Sequence, residues 1–112
     1  MKLPDPIHLH RIPLPGGRIL AVAEYGAPEG RPLLFLHGIP GSHLLARLIA
    51  AEAERRGFRL LAPDRPGIGH SDFDPARTYG SFADDLAAML DRFGIASADL
   101  IGISGGGPYA LA

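Results

Sequence analysis

The chain has 112 residues, 46% hydrophobic and 21% charged, with 11 Lys+Arg against 12 Asp+Glu and no cysteine. That size and apolar content describe one globular unit with a single core and exclude two domains. A net charge of −1 leaves no electrostatic footprint for nucleic acid or an anionic membrane surface, and the absence of cysteine excludes a disulfide framework, a thiolate metal site and a Cys nucleophile.

The N-terminus, MKLPDPIHLH, carries one lysine and no apolar core region, so no secretory signal is read there. No uncharged apolar run reaches the roughly 18 residues of a membrane-spanning helix. A cytoplasmic protein is expected. Ile7 to Leu14 has the β-branched and apolar content of a strand, and its alternation slips near Arg11, which predicts a bulge or an edge position. His8 and His10 share one face of that strand. Two imidazoles could begin a metal site, but no third ligand lies nearby, so a solvated edge strand is the expected reading. Pro15-Gly16-Gly17 is a turn, and Arg18 to Tyr25 is a second strand paired with the first as a hairpin.

After the polar loop GAPEGRP, four consecutive apolar residues, Leu33 to Leu36, predict a strand buried on both faces of a mostly parallel sheet. It runs into His37-Gly38-Ile39-Pro40-Gly41-Ser42. Ser42 can cap a helix reaching about Arg56, with Leu44, Leu45, Leu48, Ile49 and Ala53 on one stripe and Gly57 as its stop. Phe58 to Ala62 is the next strand, followed by a turn-rich segment from Pro63 to Asp72. A second helix is predicted from Ser81, with Ser81 and Asp84 as a capping box. Phe82, Leu86, Met89 and Phe93 form its apolar stripe, Gly94 its stop, and Ile95 is placed to meet Leu90. Asp84 and Asp85 near the start and Arg92 near the end suit the helix dipole. The order is therefore β-β-β-α-β-α-β plus the first turns of another helix, an α/β chain.

The final strand, Asp99 to Ile103, leads directly into G-x-S-x-G at Gly102, Ile103, Ser104, Gly105 and Gly106, followed by the helix-capable PYALA. A strand that must reverse into a helix strains the residue at the bend, and small neighbours let the backbone close around it. Ser104 at that bend would expose its hydroxyl above the sheet, with the Gly105 amide aimed at an approaching carbonyl. A rival pattern overlaps it: Gly105, Gly107 and Ala110 fit G-x-G-x-x-A, which would seat a pyrophosphate at a helix N-terminus. That fingerprint opens the first βα turn of its domain, whereas about a hundred residues precede it here. Acyl transfer at serine also needs a second oxyanion donor, and the Ile39 amide, flanked by Gly38 and Gly41, is the candidate. His37, at a strand end, reads as a residue that holds its loop by a hydrogen bond, and His43 and His70 as surface or loop-fixing residues. Asp64 and Arg65 read as a brace beneath the site.

The segments LLFLHGIPGS, APDRPGIGHSD, SFADDLAAMLDRFGI and LIGISGGGPYALA together resemble the first half of the α/β-hydrolase superfamily, over residues 15 to 112. The resemblance is to its compact serine hydrolases with H-G-x-P-G loops. It implies a mostly parallel sheet in the spatial order 1-2-4-3-5, cut off after the fifth strand and the start of the next helix. Residues 1–112 would then be the N-terminal portion of one domain. It further implies Ser104 as nucleophile, the amides of Ile39 and Gly105 as oxyanion hole, and an ester or related small acyl substrate handled through an acyl-enzyme. No cofactor or metal is called for. A serine at the elbow departs from the dehalogenase and epoxide hydrolase branches, which use a carboxylate, and G-I-P-G departs from the H-G-G-G-type loop of many lipases. In the family the triad runs Ser, then Asp or Glu, then His, whereas all five histidines here precede Ser104. The acid and base are therefore expected beyond Ala112, and the 112 residues alone should be nearly inert. The other reading is a complete, non-catalytic binding or association module that pairs with itself through the exposed edge of the last strand.

Overall fold

The computed structural model describes residues 6–37, 42–65, 68, 71–72 and 78–102. Along the chain these form β1 (His8–Pro13), β2 (Ile19–Gly26), β3 (Arg31–Leu36), a 3-10 segment (His43–Leu48), α1 (Ala50–Arg55), β4 (Phe58–Pro63), α2 (Tyr79–Phe93) and β5 (Asp99–Gly102). The strands make one sheet in the order β1-β2-β4-β3-β5, the order implied by the family resemblance. Strands β4, β3 and β5 run parallel, and β2 joins them antiparallel to β4 with β1 hairpinned outside it.

Alternation along β3 shows why an unbroken apolar run marks a strand at the centre of such a sheet. Leu34 and Leu36 face a core with Leu20, Val22, Leu61 and the α2 residues Phe82, Leu86 and Met89. Leu33 and Phe35 face the opposite core, with Tyr25, Leu60 and Ala46, Ala50 and Ala53 of the 3-10 segment and α1. Two layers of helical structure thus cover the two faces of one sheet, each buried leucine contributing about 2 kcal/mol.

One local alternative is resolved and two expectations are corrected. The alternation slip at Arg11 is no bulge: pairing runs unbroken from His8↔Glu24 to Pro13↔Ile19, and β1 is an edge strand. The single helix expected from Ser42 to Arg56 is split. Ser42 Oγ accepts the Leu44 amide at 3.2 Å and starts a 3-10 turn, and Ile49 (φ −115°, ψ 0°) separates it from α1. At about 120° per residue instead of 100°, the segment turns Ala46 onto the sheet and leaves Leu44 and Leu48 outside, 51% and 68% exposed. Among the described residues, the stripe packed on the sheet is Ala46, Ala50 and Ala53, with Ile49 partly buried beside them. The second correction is the start of α2. Thr78, not Ser81, is the cap, with Thr78 Oγ1 accepting the Ser81 amide at 2.9 Å and Ser81 Oγ accepting the Thr78 amide at 2.7 Å. Ser81 stands at the third helical position, where its short side chain reaches back as Glu does in the usual capping box. Asp84 and Asp85 consequently fall beyond the first turn and do not serve the dipole there. At the other end, Gly94 adopts φ 69° and Ile95 donates to the Leu90 carbonyl at 2.9 Å, closing the helix as expected.

The turn entering β3 packs against the start of β4 with no room for a side chain. A Cβ on Gly30 would run into the Gly57 carbonyl and sit 3.0 Å from the Ala27 oxygen, both backbone. Gly30→Ala is expected to destabilise the protein by about 1 to 2 kcal/mol, read as a lower urea midpoint with unchanged m-value. An unchanged midpoint would mean that the turn opens freely.

Candidate active site

Parallel strands deliver their C-terminal ends to one edge of the sheet, and the loops leaving that edge can meet. Here β3 and β5 are neighbours that finish level, with Leu36 paired to Gly102. On the other side of β3, Leu34 pairs with Leu61 of β4, so His37 and Asp64 leave the sheet side by side. The segment after β4 is tied down as it leaves. The Asp64 amide donates to the Ala21 carbonyl at 2.9 Å, and Ser71 Oγ accepts from the Ala21 amide at 2.9 Å while donating to the Asp64 carbonyl at 2.7 Å. Asp72 closes the same edge with two bonds to the Ile19 backbone. Of the two residues expected to brace this turn, Asp64 is tied to β2, directly and through Ser71, while the Arg65 amide turns to His37.

His37 is buried beside this brace, and its Nε2 accepts the Arg65 amide at 3.1 Å. A backbone N–H can only donate, so that nitrogen holds its lone pair in the bond and cannot collect a proton from a substrate-side hydroxyl. His37 is thus tied through Nε2 to the backbone after β4, as expected of a loop-fixing residue, and that nitrogen does not serve as a base. Ser104, Ile39 and Gly105, as well as His70 and the side chain of His43, lie outside the described residues, and so does the Gly105, Gly107, Ala110 pattern.

At the opposite end of the sheet lies a cluster that the sequence reading missed. Glu24 sits within the buried run of β2, yet its side chain is only 4% exposed. Arg59 of β4 grips it from one side, Nε donating to Oε2 at 3.0 Å and Nη2 to Oε1 at 3.3 Å. His10 Nε2 donates to Oε1 at 2.8 Å from β1. The Phe93 ring at the end of α2 closes the cluster, with Arg59 stacked 5.1 Å from its centroid and His10 meeting it edge-on at 4.8 Å. Burial raises the Glu24 carboxyl, but the bonds and charges of Arg59 and His10 outweigh it and hold the group below the usual carboxylate range. His10 is thus a partner of a buried carboxylate, not a solvated edge residue. The available signal was Glu24 itself, a lone charge in an otherwise apolar strand, which requires a counter-charge.

Set against known proteins, residues 31–112 match the family described as the alpha/beta hydrolase fold. Among curated relatives, the AB hydrolase superfamily protein YisY of Bacillus subtilis is 37% identical over 84 residues, which are 74% of this chain and 31% of that protein. The sn-1-specific diacylglycerol lipase ABHD11 of Danio rerio is 34% identical over 90 residues, 77% of this chain and 27% of that one. The esterase EaEST of Exiguobacterium antarcticum superposes with a TM-score of 0.81 at 27% identity, covering 93% of this chain and 38% of the esterase. The chain thus spans about a third of the length of these proteins, the third that builds β1 to β5. Strand order and the match over residues 31–112 agree, and the chain belongs to the α/β-hydrolase family.

Proposed function

We propose that this chain carries the nucleophile and the oxyanion hole of a serine hydrolase acting on an ester or related small acyl compound. The observation that carries the reading is the level pairing of Leu36 with Gly102. Neighbouring strands lie about 4.8 Å apart, and from that edge the chain reaches the Ile39 amide in three residues and the Ser104 hydroxyl in two. Both donors and nucleophile therefore start from the same point of the sheet. Ser104 Oγ attacks the acyl carbon and gives its proton to a base; the amides of Ile39 and Gly105 take up the charge on the carbonyl oxygen. The bond to the leaving alkoxide then breaks, the base returns the proton to it, and water releases the acid by the same steps in reverse order. By the family pattern that base is a histidine following an Asp or Glu beyond Ala112. The esterase and lipase relatives support an acyl substrate.

A second reading, association through the sheet edge, is favoured by β5, where Leu100 is 46% exposed. One experiment separates the two. The full-length protein treated with a fluorophosphonate probe is expected to gain one label, on the peptide containing Ser104, and to elute as a species whose size the labelling does not change. A protein that stays unlabelled and elutes as a stable dimer would reverse the choice.

A further inference from the structure

We propose that His37 is a positioning residue for acyl transfer, its neutral imidazole clamping the start of the oxyanion loop to the rigid turn after β4. The inference rests on the Ser104 reading above and adds what fixes its second donor. His37 is the last described residue before that loop and stands two positions ahead of the Ile39 amide. Its ring spans the gap to the next strand's exit, Nε2 accepting the Arg65 amide at 3.1 Å. The post it grips does not move freely, because the Asp64 backbone is bonded to Ala21 both directly and through Ser71 Oγ. A chain of bonds thus runs from the interior of β2 through Asp64, Arg65 and His37 to the loop.

Two donors face the ring, the Arg65 amide 3.1 Å from Nε2 and Arg65 Nη2 3.4 Å from Nδ1, and a neutral imidazole has one lone pair to offer. The shorter contact takes it, which leaves Nε2 unprotonated as the acceptor and puts the ring proton on Nδ1, on the side of the guanidinium. A second proton would break the amide bond and set an imidazolium against a guanidinium in a site where His37 is 1% and Arg65 4% exposed. The clamp therefore works only with a neutral ring, and an acceptor at the Nε2 position is what the site requires. An oxyanion donor shifted by about 1 Å can cost up to about 10²-fold in rate, so losing the clamp acts on turnover more than on substrate binding.

In the full-length protein, with p-nitrophenyl acetate as substrate, His37→Phe keeps the ring volume without the acceptor and is expected to lower kcat about 30-fold with KM changed less than threefold. Fluorophosphonate labelling should slow in parallel. His37→Gln places Oε1 where Nε2 stood and should return kcat to within about fivefold of the wild type. If the phenylalanine variant does not fold, His37→Asn, whose shorter amide cannot span to Arg65, takes its place in the same comparison. Loss with rescue by Gln supports the clamp. A His37→Phe protein within threefold of wild type in kcat overturns it, and so does an equal loss in the Gln variant and its comparator, since shape alone would then be at stake. A wild type that takes no label removes the Ser104 reading and this inference with it. A labelled wild type with an unaffected His37→Phe removes the inference alone.

Discussion

Ser104→Ala in the full-length protein is expected to lower kcat by about 10⁶ and to leave KM within a few-fold of the wild type. The size follows from what the hydroxyl does. On the proposed reading it forms the covalent bond that splits one difficult hydrolysis into two easier steps, a bond that cannot form once Oγ is gone. The oxyanion amides are backbone and survive the substitution, so a residual rate of about 10³ to 10⁴ over water should persist. That residue of activity is itself informative: it should be insensitive to fluorophosphonate, whereas wild-type activity should be abolished by it. The level ends of β3 and β5 would then be read as the frame of the site. A Ser104→Ala protein with more than about a tenth of wild-type kcat would mean that the nucleophile lies elsewhere. The folded state needs a separate check by circular dichroism, because the substitution lies two positions in sequence after the end of β5 at Gly102.

What the sequence made legible is what local pattern governs. The apolar run Leu33 to Leu36 predicted a strand covered on both faces, and its side chains divide between the two cores. The stripe Phe82, Leu86, Met89 specified the buried face of α2, and Gly94 its end. The four motifs in order implied the crossover that puts β4 between β2 and β3. Legibility failed where two local rules competed. Ser42 suits a cap for either helix type, and only contact with the sheet selects the tight 3-10 turn that brings Ala46 inward and leaves two leucines outside. Ser81 has the signature of a cap because an acidic residue, Asp84, follows it by three. Thr78 makes the reciprocal pair with Ser81 instead, and this moves the cap three residues toward the N-terminus.

The motifs name candidate residues that lie outside the described ones, and the supports beside them were not legible. The expectation that His37 holds its loop needs a partner 28 residues away, and nothing local to His37 names Arg65. The Ser71 bridge between Ala21 and Asp64 likewise joins positions 50 and 7 residues apart. Such pairs are chosen by strand order, since β2 and β3 flank β4 only after both crossovers are made. The charge cluster at the other end follows the same logic: His10, Glu24, Arg59 and Phe93 come from four elements, and only the assembled sheet and helix bring them within reach.

For that cluster, Arg59→Met is expected to destabilise the full-length protein by about 3 kcal/mol near neutral pH, the low end for a broken buried ion pair because the Arg59 side chain is 21% exposed. Methionine retains an apolar stem over Phe93, so the loss isolates the charge. Without Arg59, the Glu24 carboxylate keeps His10 as its remaining partner in the cluster and must otherwise be neutralised. The pH dependence fixes the sign. A carboxyl held below its ordinary value of 4.5 contributes stability that is present above that value and lost as pH falls through the lower folded-state value. In Arg59→Met the lowering influence of the guanidinium is gone and burial pushes the carboxyl up, so this variant gives up less on acidification. The gap in urea midpoint between wild type and variant should therefore narrow from about pH 7 to about pH 3. Replacing both partners, Glu24→Leu with Arg59→Met, should recover much of the loss, because the cost lies in leaving one buried charge uncompensated and not in lacking the pair. A gap that stays constant across the pH range, or a double variant as unstable as the sum of its single substitutions, would show that Arg59 acts through its packing on Phe93 and not through Glu24.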